Sequence, residues 1–133
     1  LAPLSGQPSG SGNLDAVALR GSISTLQQTI ILALISYHRL NFKPYYWRTV
    51  SGVEVDFVLY GENQLYAIEI KHARMIHHDM LRGLRHFKED YPMAICILLY
   101  LGDQTHYFDE AMMALPFVEG LQKLKTWLGA PRN

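Results

Sequence analysis

The chain has 133 residues, of which 49% are hydrophobic and 18% are charged, and its 12 basic residues balance its 12 acidic residues. This length and composition predict one globular domain and exclude a disordered chain. The zero formal charge excludes a nucleic-acid binder that is basic over its whole surface, so such a role would need a local basic patch.

The first residues, LAPLSGQPSGSGN, are rich in Gly, Ser and Pro. They predict a flexible linker over residues 1–20, followed by one domain over residues 21–133. Because Leu1 stands where an initiator Met would be, we expect the chain to be a fragment of a longer protein. The sequence has neither a signal peptide nor an apolar run long enough for a membrane span, so the expected compartment is the cytoplasm and no membrane partner is expected.

Residues 25–40 are the first predicted helix. Leu26, Ile30 and Leu34 recur at helical spacing there, and Ser24 with Gln27 fits a capping box at the start.

Three strands follow, over residues 44–50, 53–60 and 64–71, with short polar or glycine-containing turns between them. Residues 76–90 predict a second helix, the apolar residues 93–101 a strand covered on both faces, and residues 117–128 a third helix. Cys96 lies inside that apolar strand and is expected to be a buried core thiol. The order α-β-β-β-α-β-α predicts an α/β fold, with a mixed sheet flanked by helices and an extra C-terminal helix.

Strand alternation assigns the side chains of the central hairpin to two faces. One face is predicted to carry Val53, Val55, Phe57 and Leu59 on the second strand, with Glu54, Asp56, Val58 and Tyr60 on the other. On the third strand, Tyr66, Ile68 and Ile70 are predicted to oppose Leu65, Ala67, Glu69 and Lys71.

The charged residues Asp56, Glu69 and Lys71 interrupt these otherwise apolar strands. If Tyr60 pairs with Leu65, then Asp56 lies opposite Glu69, and two carboxylates placed in this way repel each other. A bound divalent cation would relieve the repulsion, and Lys71 could orient or deprotonate a water beside it. The alternative is a wet sheet face on which Lys71 pairs with Glu54 and the two carboxylates are solvated.

The strings YYWRTVSGVEVDFVLYGENQLYAIEIKHA and LRGLRHFKEDYP resemble the C-terminal domain that follows the P-loop module in a group of prokaryotic AAA-like ATPases. That domain resembles the PD-(D/E)XK nuclease fold, the restriction-endonuclease-like α-β-β-β-α-β core. The resemblance runs from about Gly21 to Pro116. It implies that Asp56 and Glu69 bind a metal, with the Ile70 carbonyl as an extra ligand, and that Lys71 positions the attacking water.

Members of this superfamily tend to carry a glutamate on the first helix, pointing at the metal. This chain has Gln27 and Gln28 there, so these two residues mark a first-helix site with neutral, weaker ligands. For Gln27 the capping box is the alternative reading.

The resemblance implies a Mg²⁺-dependent hydrolase of DNA phosphodiesters, with weakly bound Mg²⁺ or Mn²⁺ and with an N-terminal P-loop ATPase module as a partner. Arg82 and Arg85 would contact phosphate, although a solvated helix face explains them equally well. The alternative is a catalytically silent module that keeps the fold and mediates DNA binding or homo-oligomer contacts for that ATPase. His72, His77, His78 and His86 match no standard zinc spacing and are expected to be solvated.

Overall fold

The computed structural model describes residues 12–16, 43–60 and 64–128. In that part of the chain the fold is α/β: a single mixed sheet of seven strands and two α-helices. The strands are β1 (Gly12–Ala16), β2 (Lys43–Thr49), β3 (Glu54–Tyr60), β4 (Leu65–Ile70), β5 (Ile95–Tyr100), β6 (His106–Asp109) and β7 (Met112–Pro116). The helices are α1 (Arg82–Asp90), which follows a 3-10 turn at His78–Leu81, and α2 (Phe117–Leu128).

The sheet order is β1-β2-β3-β4-β5-β7-β6. Strands β1 to β4 pair antiparallel in sequence order. The connection through α1 then makes β5 parallel to β4, and β7 is parallel to β5. This crossover brings the end of β4 close to the start of α1, which is where the charged residues of the central hairpin lie.

The N-terminal predictions meet the structure only in part. The predicted first helix over residues 25–40, with Gln27 and Gln28, lies outside the described residues. Within the predicted linker, Gly12–Ala16 forms strand β1 and pairs antiparallel with β2. The linker prediction is therefore wrong for these five residues, because backbone hydrogen bonding to a neighbouring strand does not depend on apolar side chains.

A tight turn joins β2 to β3. Gly52 has a positive φ of 94°, and its N–H donates to the Thr49 carbonyl at 3.1 Å. The Thr49 N–H donates to the Val53 carbonyl at 2.8 Å, and the Val53 N–H donates to Thr49 Oγ1 at 2.9 Å. The turn predicted at Ser51-Gly52 is confirmed, and glycine is needed there because other L-residues rarely adopt this conformation.

The predicted register between β3 and β4 is confirmed over four residue pairs, whereas the pair predicted between Asp56 and Glu69 lies beyond this ladder. Tyr60 pairs with Leu65, and the ladder continues to Phe57 paired with Ile68. The faces predicted for β4 are also confirmed: Leu65 and Ala67 belong to one core cluster, and Ile68 to the other.

A bulge in β3 alters the faces of that strand. Tyr45 pairs with Val58, whereas Trp47 pairs with Val55. Asp56 and Phe57 therefore both lie opposite the single residue Tyr46, so β3 carries one extra residue.

The two helices cover opposite faces of the sheet. Leu84 and Phe87 of α1 pack into one core cluster, and Leu124 of α2 packs into the other. Val53 and Val55 of β3 lie on the α1 face, whereas Phe57 and Leu59 lie on the α2 face. The prediction that these four side chains share one face is wrong, because the extra residue of the bulge reverses the alternation.

The remaining elements follow the predicted order with two additions. The C-terminal helix spans Phe117–Leu128 as predicted, whereas the second helix begins at Arg82 after a 3-10 turn instead of at Ile76. Strands β6 and β7 were not predicted. No helix among the described residues has both the length and the hydropathy to cross a membrane.

The predicted core cysteine is confirmed. Cys96 is fully buried in β5, and burial raises the pKa of its thiol to about 12. A buried thiol with a raised pKa stays protonated at neutral pH, which is typical of a structural cysteine.

Candidate active site

A cleft of about 250 Å³ lies between the β2–β3 turn, the end of β4 and the start of α1. It is lined by Ser51, Gly52 and Val53 of the turn, by Glu54, Glu69 and Lys71 of the sheet, and by Asp79, Met80, Arg82 and Gly83 around the start of α1. Five of these ten residues carry ionisable side chains, although the neighbouring strands are largely apolar.

Glu69 is the buried acid of this cleft. Its side chain lies on the α1 face of β4 and is only 6% exposed, although the flanking Ile68 and Ile70 belong to the opposite core cluster. Burial raises the pKa of Glu69 to about 8, because the charged form loses its hydration. The negative charges of Asp56 and Glu54 raise this pKa further, whereas the positive charge of Lys71 lowers it.

Asp56 lies at the bulge of β3, where it accepts a hydrogen bond from the backbone of β4. The N–H of Ile70 donates to Asp56 Oδ2 at 2.8 Å. In a regular ladder with the β3–β4 register, this N–H would face the carbonyl of Val55, so the carboxylate takes the place of a backbone acceptor. Asp56 is half-buried and does not line the cleft, but its charge acts on Glu69.

Lys71 follows β4 and reaches the cleft from the same strand as Glu69. Its backbone N–H donates to the Leu99 carbonyl at 2.9 Å, which extends the pairing of β4 with β5 by one residue. This bond fixes the backbone of Lys71, and its half-buried side chain lines the cleft. Ile70, whose carbonyl was predicted as a metal ligand, has its side chain in the α2-side core.

The two predicted phosphate contacts differ in position. Arg82, the first residue of α1, lines the cleft together with Lys71 and Glu69. Arg85 is exposed on α1, one turn further along, and does not line the cleft. The structure therefore brings Glu69, Lys71 and Arg82 together in the cleft. Asp56 lies outside the cleft, close enough to Glu69 for its charge to affect the pKa of Glu69.

The metal-binding capacity of this arrangement is limited. In the part of the chain that the structure describes, no group of three or more His, Cys, Asp and Glu side chains could hold a metal ion. His72, His77 and His78 are exposed, as predicted, and His86 is half-buried on α1. From residues 12–16, 43–60 and 64–128, a cation here would therefore have at most two carboxylate ligands.

The chain matches a known protein family. The model of a family described as Domain of unknown function (DUF4143) matches residues 24–119, which is well over half of the chain. The chain belongs to the DUF4143 family. A search of curated proteins finds no match.

Sequence reasoning missed several residues of the cleft in this DUF4143 domain. Asp79 and Met80 come from the 3-10 turn before α1, in a segment that was predicted as regular helix. Gly83 did leave a signal, because glycine inside a helix is unfavourable relative to alanine. The Ser51-Gly52 turn was predicted only as a connection, and its place at the cleft depends on how α1 folds back over the sheet.

Proposed function

We propose that this domain is a divalent-metal-dependent hydrolase of DNA phosphodiesters, in which Glu69 and Lys71 act from the cleft and Asp56 acts beside Glu69. The observation that carries the proposal is the state of Glu69: a buried carboxyl group with a pKa of about 8, in a cleft that also holds a lysine and an arginine. Strongly shifted pKa values in a cleft are a feature of functional sites, because burying an ionisable group costs stability without improving the core.

The donor chemistry of Glu69 and Asp56 fits a hard cation such as Mg²⁺ or Mn²⁺. Two carboxylates, with water and substrate oxygens in the other positions, are a common Mg²⁺ arrangement. The cost of placing Glu69 beside two other acids supports the same view, because a cation would offset that repulsion. When bound, such a metal polarises a phosphoryl oxygen and lowers the pKa of a water ligand.

The side chains of the cleft would position the attacking water and bind the phosphate. Lys71 Nζ would hold the attacking water in position and stabilise negative charge on the phosphate. Arg82 would bind a non-bridging oxygen of the same phosphate, for which its fork of N–H donors is well suited. Arg85 would contact the DNA backbone outside the cleft. In the full-length protein, an N-terminal P-loop ATPase module would be the partner of the domain.

A second candidate function is a catalytically silent module that binds DNA or mediates oligomer contacts. The hydrogen bond from Ile70 N–H to Asp56 Oδ2 favours the silent module, because this bond is a structural reason for an acidic residue at the bulge. A carboxylate kept to satisfy a backbone N–H does not require a metal.

A nuclease assay separates the two candidates. Supercoiled and single-stranded DNA are incubated with the protein in Mg²⁺, in Mn²⁺ and in EDTA, and the Glu69→Gln and Lys71→Ala variants are tested beside Lys125→Ala. Lys125 is exposed on α2, on the opposite side of the sheet, so its loss removes the same charge without touching the cleft. The hydrolase proposal requires that the wild type and Lys125→Ala cleave DNA when metal is present, and that Glu69→Gln and Lys71→Ala do not. DNA binding without cleavage under all conditions would favour the silent module.

A further inference from the structure

The start of α1 lies unusually close to the sheet at Gly83. A Cβ atom built on this glycine would overlap the carbonyl oxygen of Glu54 and would lie 3.3 Å from Oε1 of Glu69. The carbonyl belongs to a strand that is paired with β2 at this point, where Arg48 lies opposite Glu54. An added methyl group could therefore be accommodated only if α1 moved away from the sheet.

The backbone conformation does not explain the glycine. Gly83 lies inside α1, and the positive-φ glycine among the described residues is Gly52. Glycine within a helix costs about 1 kcal/mol relative to alanine. The close approach to Glu54 and Glu69 explains why a glycine occupies this position in spite of its cost to the helix.

A movement of α1 would change the cleft directly. Arg82 precedes Gly83 and lines the cleft, and so do Asp79 and Met80 of the 3-10 turn that leads into the helix. The opposite wall is the sheet, which carries Glu69 and Lys71. The contact at Gly83 therefore determines how far the two walls are apart.

We propose that Gly83 is a positioning residue: its missing side chain lets the first turn of α1 rest on the backbone of Glu54 and beside the Glu69 carboxylate, which sets the spacing between Arg82 and the Glu69–Lys71 pair. This inference rests on the proposed function for its catalytic consequence, although the geometric part can be tested without it. Gly83 itself offers no group to a metal or a substrate. It acts through the residues on either side of the cleft.

The test compares Gly83→Ala with Gly120→Ala. Gly120 is the matched control, because it also lies in a helix that packs closely on the sheet, and a Cβ there would overlap Cδ2 of Leu99 in the opposite core layer. Both variants are measured at a temperature at which unfolding curves show them to be fully folded. The readouts are Mn²⁺ affinity by titration calorimetry, kcat and KM for metal-dependent DNA cleavage, and the backbone amide NMR shifts.

We expect Gly83→Ala to bind Mn²⁺ about 10-fold more weakly, the usual size of an effect on residues that orient metal ligands. Its kcat should fall by about 10- to 100-fold, as expected for a displacement of about 1 Å. Its amide shifts should change at Glu54, Glu69 and Lys71. Gly120→Ala should match the wild type in Mn²⁺ affinity, in kcat and KM, and in the amide shifts of Glu54 and Glu69, with its shift changes confined to the surroundings of Leu99. Equal effects of the two substitutions on these readouts would reduce Gly83 to a general packing residue and overturn the inference.

Two further outcomes remain decisive. If the wild type neither cleaves DNA nor binds Mn²⁺, the proposed function fails, and the amide shifts alone decide on Gly83. If Gly83→Ala does not fold, Met80→Ala takes its place, because Met80 Sδ accepts a hydrogen bond from His77 N–H at 3.5 Å and so anchors the turn before α1. Mn²⁺ affinity and cleft amide shifts identical to those of the wild type would then refute the positioning role.

Discussion

The backbone N–H of Ile70 donates a hydrogen bond to the side chain of Asp56 rather than to a carbonyl of the neighbouring strand, at a distance of 2.8 Å. The β3–β4 ladder ends at the pair Phe57–Ile68, next to the bulge that β3 forms against β2 at Asp56 and Phe57. Asp56 therefore has two opposite effects on the stability of the fold. Its oxygen satisfies a backbone donor, and its charge raises the pKa of Glu69.

Substitution of Asp56 should separate these effects. Asp56→Ala leaves the Ile70 N–H without its acceptor, so we expect the free energy of unfolding in EDTA to fall by about 1.5–3 kcal/mol, the range for hydrogen bonds to charged groups. Asp56→Asn keeps an acceptor and removes only a charge beside a Glu69 carboxyl group that is protonated below pH 8, so at such a pH its stability should stay within about 1 kcal/mol of the wild type. Urea unfolding of both variants, beside the exposed Asp103→Ala, measures this. An Asp56→Ala protein as stable as the wild type would mean that the hydrogen bond contributes nothing.

The ionisation of Glu69 should make stability depend on pH. Its pKa rises from 4.5 to about 8 on folding, so between these values the folded state holds a proton that the unfolded state has lost. The contribution of Glu69 is therefore fully present below pH 4.5 and is lost as the pH rises through about 8. Each unit of pKa difference corresponds to about 1.4 kcal/mol, so the total change is several kcal/mol.

Glu69→Gln cannot ionise and should lack this pH dependence. We expect the free energy of unfolding of the wild type to fall relative to that of Glu69→Gln between pH 5 and pH 8, measured in EDTA. Parallel stability curves for the two proteins over this range would contradict the raised pKa of Glu69.

If the domain binds a divalent cation, affinity should increase with pH. Below pH 8 the proton of Glu69 must leave before the carboxylate can act as a ligand, so Mn²⁺ affinity should rise by about tenfold per pH unit. Calorimetric titration at three pH values below 8 measures the slope, and the heat in buffers of different ionisation enthalpy counts the released proton. Glu69→Gln should bind weakly with a flat pH dependence. If the affinity of the wild type for Mn²⁺ did not change with pH, Glu69 would not be a ligand of the metal.

The sequence was most informative where a periodic pattern coincides with a regular element. The β3–β4 register followed from the turn between Tyr60 and Leu65, and α2 begins and ends at the predicted residues, because apolar spacing alone specifies such elements. The pairing of Glu69 with Lys71 on one strand face followed from the same alternation, and both residues line the cleft.

The bulge in β3 could not be predicted, because the sequence shows no break in its apolar pattern there. Apolar residues lie both before and after the bulge along the strand. Val55 and Phe57 look like neighbours on one face until an extra residue places them in different core layers. Strand β6 is exposed along its whole length, so it has no apolar periodicity, and its existence depends on pairing with β7. The cleft itself depends on where α1 returns to the sheet, which is a tertiary property.

The basic residues of α1 should differ in their contribution to DNA binding. Arg82 lines the cleft, whereas Lys88 Nζ donates to the carbonyls of Pro92 at 3.1 Å and Ala94 at 2.8 Å, and so joins the end of α1 to the segment that leads into β5. Arg82→Ala should remove one phosphate contact. It should therefore weaken DNA binding and reduce the slope of log affinity against log salt concentration by about 0.9.

Lys88→Ala removes the same charge but should leave this slope unchanged. It should instead lower the free energy of unfolding by about 1 kcal/mol, because two carbonyl oxygens lose their donor. Fluorescence anisotropy with labelled DNA at several salt concentrations, together with urea unfolding, measures both quantities. Equal slopes for Arg82→Ala and the wild type would remove Arg82 from the DNA interface, and a reduced slope for Lys88→Ala would show that the lysine leaves its carbonyl partners to contact phosphate.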